Sequence, residues 1–207
     1  MRRNWLEPLT GVVFVVLIFI AFGIGGEPPD HNASVEEIVS HYADNKDSIF
    51  AGAFISTLAL AFLIFFANYL RRALNVAGEA VLSATVLVGA SIMAVGLAID
   101  STILLTLADS ADDLEAGSAQ ALQALYDNDF LPIALGTVVF LISAGLSILR
   151  TGVVPRWLGW VAVALAVIGL TPLGFFAFLG SGIWILVASA VLTLQARRGD
   201  ARPAAAA

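Results

Sequence analysis

Residues 157–196 read WLGWVAVALAVIGLTPLGFFAFLGSGIWILVASAVLTLQA, which is 40 consecutive positions without a charged side chain. One helix of that length would measure about 60 Å at 1.5 Å per residue, whereas the hydrocarbon layer of a membrane is about 30 Å thick. We therefore predict two spans, over about 157–175 and 178–196, which reverse at a turn between Thr171 and Gly182. Because each half is short, a re-entrant hairpin that does not fully cross the membrane remains an alternative.

The same length criterion finds four further apolar segments toward the N-terminus. These predicted spans are 9–25, 49–70, 80–99 with an extension toward 108, and 131–149. The chain is 59% hydrophobic and 13% charged, unlike an ordinary soluble domain. We predict an all-α fold, a polytopic transmembrane helical bundle of six spans in a single domain over 1–198, followed by a disordered tail over 199–207.

The first segment allows a second interpretation. A basic start followed by an apolar core is also the pattern of a secretory signal peptide. No clear small-residue cleavage motif follows it, which favours a membrane anchor. Cleavage would leave the predicted topology of the remaining chain unchanged.

The basic residues predict the orientation of the bundle. Lys and Arg in short loops favour the cytoplasmic side. With six spans, every second segment end lies on the same side of the membrane. All of the ten basic residues except Lys46 lie at such ends: Arg2, Arg3, Arg71, Arg72, Arg150, Arg156, Arg197, Arg198 and Arg202. We predict a multi-pass protein of the bacterial plasma membrane with its N- and C-termini cytoplasmic.

Two longer segments are predicted outside, and twelve of the sixteen acidic residues lie in them. In the first, Ser34 and Glu37 match a capping box, and apolar residues recur at helical spacing over about 35–45. In the second, a weaker apolar stripe comprises Leu114, Ala121, Leu122 and Leu125. We predict a short amphipathic helix in each segment. The pair covers the outer mouth of the bundle in the arrangement we favour, and lies on the membrane surface in the alternative.

Three short motifs accompany these features: Gly26-Glu27-Pro28-Pro29-Asp30, Tyr42-Ala43-Asp44-Asn45 and Val154-Pro155-Arg156-Trp157-Leu158-Gly159-Trp160. With them, the chain resembles a group of uncharacterised multi-span actinobacterial integral membrane proteins. The resemblance covers most of the chain and implies a multi-helix membrane fold. It implies nothing catalytic, because that group has no known activity to carry over.

Asp100 is the one charged residue within a predicted span, near the outer end of the third. Ionisable groups inside spans are costly and suggest functional sites. The helix face leading to it carries Thr85, Gly89, Met93 and Gly96. Small side chains of this kind let helices approach closely, so we expect Asp100 to face protein. It is a structural acid bonded to a neighbouring helix or to Lys46, a proton or cation site, or an acid exposed at the lipid headgroups.

His31 and His41 are weak candidates for a metal site. Both lie in the first outer segment among acidic residues, and Glu37 shares a helical face with His41. Decoration of a surface helix is the interpretation we favour, so no metal site is predicted. With no histidine in any predicted span, bis-histidine haem ligation and a Ser/His hydrolase within the bilayer are excluded.

Composition narrows the remaining function classes. Cysteine is absent, which excludes disulfides, thiolate metal ligands and thiol nucleophiles. The arginines form isolated pairs rather than a basic face, so no nucleic-acid partner is expected. We predict an integral membrane protein that is not an enzyme and has no cofactor, an accessory or sensory component whose partners are the lipid bilayer and a second copy or another membrane protein. The alternative is a small proton- or cation-coupled transporter or channel that uses Asp100.

Overall fold

The computed structural model describes residues 5–26, 28–30 and 32–200, with side chains described up to Arg197. Within these ranges every regular element is helical, which confirms the predicted all-α class. The helices are α1 (Thr10–Gly25), α2 (Val35–Asp44), α3 (Lys46–Val76), α4 (Val81–Asp109), α5 (Ala116–Asn128), α6 (Phe130–Thr151), α7 (Arg156–Gly169) and α8 (Gly174–Asp200), and a 3-10 turn (Glu7–Leu9) precedes α1.

Five helical segments of the described chain are long and apolar enough to cross a membrane. They are α1 with its preceding turn, α3, α4, α5 taken together with α6, and α8. α7 is apolar but has only 14 residues, which corresponds to about 21 Å of helix. These lengths are compatible with an integral membrane protein, and the fifth predicted span corresponds to a short helix.

The uncharged stretch reverses between α7 and α8, at Thr171 and Pro172. The Thr171 hydroxyl oxygen accepts a hydrogen bond from the Leu173 amide (3.2 Å), and Pro172 has no amide hydrogen with which to continue a helix. The other candidate turn, around Gly180, lies inside α8. In place of 157–175 and 178–196, the two helices are therefore a shorter α7 and a longer α8.

The C-terminal tail also differs from its predicted start. The disordered tail was expected over 199–207, whereas α8 continues to Asp200. Residues 201–207 lie outside the described residues.

A large apolar cluster, the central cluster, joins α1, α3, α4, α6, α7 and α8. Its fully buried members include Leu63, Phe66, Met93 and Phe140, all 0% exposed. Trp184 also belongs to it and donates its indole N–H to the carbonyl oxygen of Leu158 (2.9 Å), which ties α8 to α7.

Glycines bring α4 and α6 into backbone contact. A Cβ atom added to Gly89 would overlap the Phe140 amide nitrogen, and one added to Gly136 would overlap the Met93 amide nitrogen. Backbone atoms cannot move aside as a flexible side chain can, so only glycine permits this approach. The small-residue stripe of α4 therefore packs against protein, as its pattern predicts.

α2 and α5 pack on one end of the bundle, and we call them the cap. A second apolar cluster, the cap cluster, comprises Ile38, Tyr42, Ile49, Ile103, Leu107, Ala108, Ala111 and Ala119. It joins both short helices to the adjoining ends of α3 and α4. α2 begins as its capping box predicts, because the Ser34 hydroxyl oxygen accepts a hydrogen bond from the Glu37 amide (3.2 Å).

The predicted apolar stripe before and along α5 is confirmed in part. Leu114 and Leu122 are partly buried and pack against the cap cluster, whereas Ala121 is exposed and Leu125 is 53% exposed. Ala119 and Gln123 are fully buried, and a stripe of large apolar residues does not indicate either of them. The polar Gln123 takes the inner position because it finds hydrogen-bond partners there.

The opposite end of the bundle carries the described arginines, and we call it the arginine end. Its contacts are Arg72 with Glu7, Arg150 with Glu79 (3.0 Å), and the Arg197 guanidinium over the Trp5 ring (4.4 Å). These contacts bring the start of the described chain and the end of α8 to the same end of the bundle. The predicted topology determinants Arg2 and Arg3 lie outside the described residues, and the side chain of Arg198 is not described.

Glu79 links two helices at the arginine end. Its carboxylate accepts a hydrogen bond from the Leu82 amide in the first turn of α4 (3.2 Å) and pairs with Arg150 at the end of α6. The hydrogen bond from Arg150, followed by that from Leu82, lowers the pKa of the Glu79 carboxyl. The group therefore remains ionised, as a favourable position beside the α4 dipole requires.

Candidate binding site beneath the cap

A cavity of about 70 Å³ lies where the cap meets the bundle. Its walls come from the end of α1 and the connector that follows, from α2 and α5, and from α3 and α4. The polar side chains that line it are His41, Tyr42, Ser56, Asp100, Ser101 and Tyr126. The volume is enough for about five water molecules, since each requires roughly 10–15 Å³ of such space.

Asp100 lies on α4 at the boundary between the two apolar clusters. Leu97 is the last α4 residue of the central cluster, and Ile103 is the first of the cap cluster. The carboxyl group is half-buried and lines the cavity between them. Within the described ranges it takes part in no salt bridge. The expectation that Asp100 faces protein holds, and its carboxyl group is accessible from the cavity.

Lys46 pairs with Asp109 and not with Asp100, the partner that the sequence suggests. Its ammonium lies 3.0 Å from a carboxylate oxygen of Asp109 and donates to the Asp109 carbonyl oxygen (3.3 Å). Asp109 is nine residues beyond Asp100, about 13 Å along the helix. One ammonium group cannot contact both, so the described pairing leaves Asp100 without Lys46.

Two serines form a less polar wall beside Asp100. The Ser101 hydroxyl donates to the Leu97 carbonyl oxygen (3.0 Å) and lies 3.4 Å from the hydroxyl of Ser56 on α3. Serines bonded to their own helix are common structural features of buried helices. They contribute a weakly polar surface but no charge.

The aromatic wall of the cavity comes largely from the cap. His41 is half-buried; burial lowers its pKa, although Asp44 opposes the shift, so its imidazole is neutral near pH 7. Its Nε2 atom is buried and has no hydrogen-bond partner among the described residues. Burial, followed by the charges of Asp127 and Asp100, raises the pKa of the Tyr42 hydroxyl, which therefore keeps its proton.

A buried hydrogen-bond bridge holds the cap together. The Tyr42 hydroxyl on α2 donates to the side-chain oxygen of Gln123 on α5 (2.8 Å). The Gln123 amide group donates in turn to the Pro29 carbonyl oxygen (3.0 Å) and to the Asp127 carboxylate (3.1 Å). One side chain thus joins α2, α5 and the connector after α1.

Asp129, between α5 and α6, is a second half-buried acid, and its sequence context does not distinguish it from other loop acids. Its Oδ2 atom is buried without a hydrogen-bond partner in the described part of the chain, and Asp129 is near enough to Asp100 for the two like charges to repel each other. By position it resembles an N-cap of α6, yet its side chain makes no capping hydrogen bond. The only available signal was this position, which a solvated loop acid would share.

The structure describes only one of the two histidines that are candidates for a metal site. His41 lines the cavity, and His31 lies outside the described residues. Among the described side chains, no group of three or more His, Asp or Glu residues is placed to hold a metal ion. Asp100 and His41 are therefore the cavity-lining residues whose polar groups are most available to bind a ligand.

Comparison of the chain with protein-family models, curated proteins and solved structures finds no match. A functional assignment must therefore rest on the cavity itself.

Proposed function

We propose that this chain is a non-enzymatic integral membrane protein of the sensory kind, whose cap closes over a small ligand site at Asp100. One observation carries the proposal: a half-buried carboxyl group, without a salt bridge in the described chain, lines a cavity roofed by two short helices. Charged groups are rarely retained at such positions without a function.

The surroundings of the cavity support binding rather than conduction. Toward the arginine end, the helices are joined by the central cluster, in which Leu63, Phe66 and Met93 are completely buried. A pathway for ions needs polar groups along its length. Beyond Asp100 the core offers mainly apolar side chains, so the cavity is closed on that side.

The proposed membrane arrangement has six crossings, with the short α7 as the fifth, in a bacterial plasma membrane. The described arginines share one end of the bundle and the cap lies at the other, which supports a cytoplasmic arginine end and an external cap. In this arrangement, a second copy or another membrane protein recognises the conformation of the external cap.

A flux measurement separates this proposal from the transporter alternative, which Asp100 and the nearby Asp129 favour. The native protein and an Asp100→Asn variant are reconstituted in vesicles that contain proton- and K⁺-sensitive dyes. We expect flux at the level of empty vesicles for both. Flux above that level that Asp100→Asn removes would replace the sensory proposal with transport.

Hydrogen exchange tests whether the site communicates with the cap. We expect Asp100→Asn to change the protection of the α2 amides severalfold, because its carboxyl lies in the cavity that α2 covers. Asp112→Asn is the matched control, since it removes an exposed acid shortly after α4. Unchanged α2 protection in Asp100→Asn would contradict a sensory role for the cavity.

A further inference from the structure

The charges around the cavity favour a cationic ligand. Asp100 lines the cavity, and the nearby Lys46 is held by Asp109. No Lys or Arg is among the cavity-lining residues that the structure describes. An anion would therefore meet only like charge, whereas a cation would satisfy the carboxylate.

The shape and surface of the cavity favour an organic cation over a metal ion. Its lining includes the aromatic side chains of Phe22, Tyr42 and Tyr126 beside the carboxylate of Asp100. Aromatic faces attract ammonium groups and accommodate their alkyl substituents. A divalent metal would need several oxygen or nitrogen ligands, and the described residues bring no such group together.

An unused hydrogen-bonding atom points to a ligand that carries an N–H group. The buried Nε2 atom of His41 has no hydrogen-bond partner within the described ranges, and His41 lines the cavity. A neutral imidazole offers one nitrogen as an acceptor. A protonated amine between Asp100 and His41 would satisfy both groups.

We infer that the cavity binds a small primary ammonium group of about three to five non-hydrogen atoms, with Asp100 as its counter-ion and His41 as a hydrogen-bond acceptor. This inference rests on the proposed function and names the ligand class of the same site. The size follows from a cavity that has room for about five waters. The ammonium group can belong to a free amine or to an aminophospholipid headgroup, because both present the same chemistry.

The test is calorimetric titration of the full chain in uncharged maltoside detergent with ethylammonium chloride. Potassium chloride at equal ionic strength and ethanol, the neutral analogue, are titrated in parallel. Of these three solutes, we expect only ethylammonium to bind saturably. Absence of saturable binding, or equal binding of K⁺, would overturn the assignment.

Two variants and a control identify the groups that bind. Asp100→Asn should weaken ethylammonium at least about tenfold, as expected for loss of a charge-assisted hydrogen bond. His41→Leu should weaken ethylammonium severalfold but leave tetramethylammonium unchanged, because only the former has an N–H to donate. Asp112→Asn should bind like the native protein. Native affinity in Asp100→Asn would refute the counter-ion role, and a native-like melting curve of this variant shows that a loss of affinity does not come from unfolding.

Nanodiscs distinguish the two sources of the ammonium group. The titration is repeated in phosphatidylglycerol alone and with phosphatidylethanolamine added. Competition by phosphatidylethanolamine supports the headgroup as ligand, and undiminished ethylammonium binding supports a free amine. The failure of this inference can be distinguished from failure of the proposed function. If ethylammonium does not bind, the ligand class is wrong. The sensory function still stands if the vesicles show no flux and Asp100→Asn alters the protection of the α2 amides.

Discussion

At the scale of single residues, Gln123 is the side chain on which the cap depends most. It is 0% exposed and bonds to α2 and to the connector that follows α1. A buried amide is tolerated only when its hydrogen-bonding groups are satisfied. Gln123 is therefore a polar residue whose position is set by its partners rather than by its hydropathy.

Replacing Gln123 with Leu should loosen the cap. The Tyr42 hydroxyl and the Pro29 carbonyl oxygen would lose their partner, and each buried unsatisfied group costs about 1–3 kcal/mol. We expect faster amide exchange in α2 and α5, with little change in α6. Hydrogen exchange followed by mass spectrometry measures this.

The matched control is Gln120→Leu, on the exposed face of the same helix. It changes the same chemical group without touching the bridge, so its exchange should match that of the native chain. Equal exchange in both variants would show that the bridge does not stabilise the cap.

Single residues differ in how far their roles can be predicted from the sequence. Asp100 stands out because it interrupts an apolar span, and its expected burial against protein is what the structure shows. Asp129 and Gln123 gave no comparable signal. Their roles depend on contacts made between segments distant in the chain, and a hydropathy pattern contains no information about such partners.

At the scale of helices, apolar length and breaker residues predicted most elements. α1, α2 and α6 begin and end close to their predicted bounds, and α4 continues as one helix through Asp100 as its extension suggested. The α7–α8 turn could not be chosen in advance, because Pro172 and Gly180 are both plausible breakers. Glycine inside a tightly packed span permits close contact as readily as it permits a turn.

The contact between α4 and α6 yields a second prediction. Gly136→Ala places a Cβ atom against the backbone of Met93, and overpacking of this kind costs about 1–3 kcal/mol. We expect a clear decrease in the melting temperature of the purified protein. Thermal unfolding in detergent, followed by circular dichroism, measures it.

Gly23→Ala serves as its control. Gly23 lies in α1, and an added Cβ atom there would have nothing within 4 Å. Alanine is the better helix former, so this variant should melt no lower than the native protein. A Gly136→Ala melting temperature equal to that of Gly23→Ala would mean that the two helices are not in backbone contact.

At the scale of the whole molecule, the separation of the cap from the arginine end is the feature that the charge pattern predicted. In the sequence, arginines occur at every second segment end. In a bundle whose helices alternate in direction, these ends lie on the same side. Charge alone could not place α2 and α5 on the bundle rather than on lipid. That placement depends on the cap cluster, whose members come from four helices and from Ala111 between α4 and α5.

Cysteine labelling tests the proposed sidedness directly, since the chain has no cysteine to interfere. Single replacements are made at Gly117 in the cap, where an added side chain meets nothing, and at Val76 near the arginine end, which is 90% exposed. A membrane-impermeant maleimide should label Gly117→Cys in intact cells and Val76→Cys only after lysis. The reverse pattern would invert the proposed orientation.

The glycine contact between α4 and α6 also has a mechanical consequence. Sliding one helix along the other would drive a side chain into backbone, so the two move as a rigid pair. Asp100 belongs to α4, and Asp129 immediately precedes α6. The rigid pair therefore holds Asp100 in a constant place. Selectivity for charge would reside in this stationary carboxyl group, while detection of an occupant would fall to displacement of the surrounding lid, which carries His41.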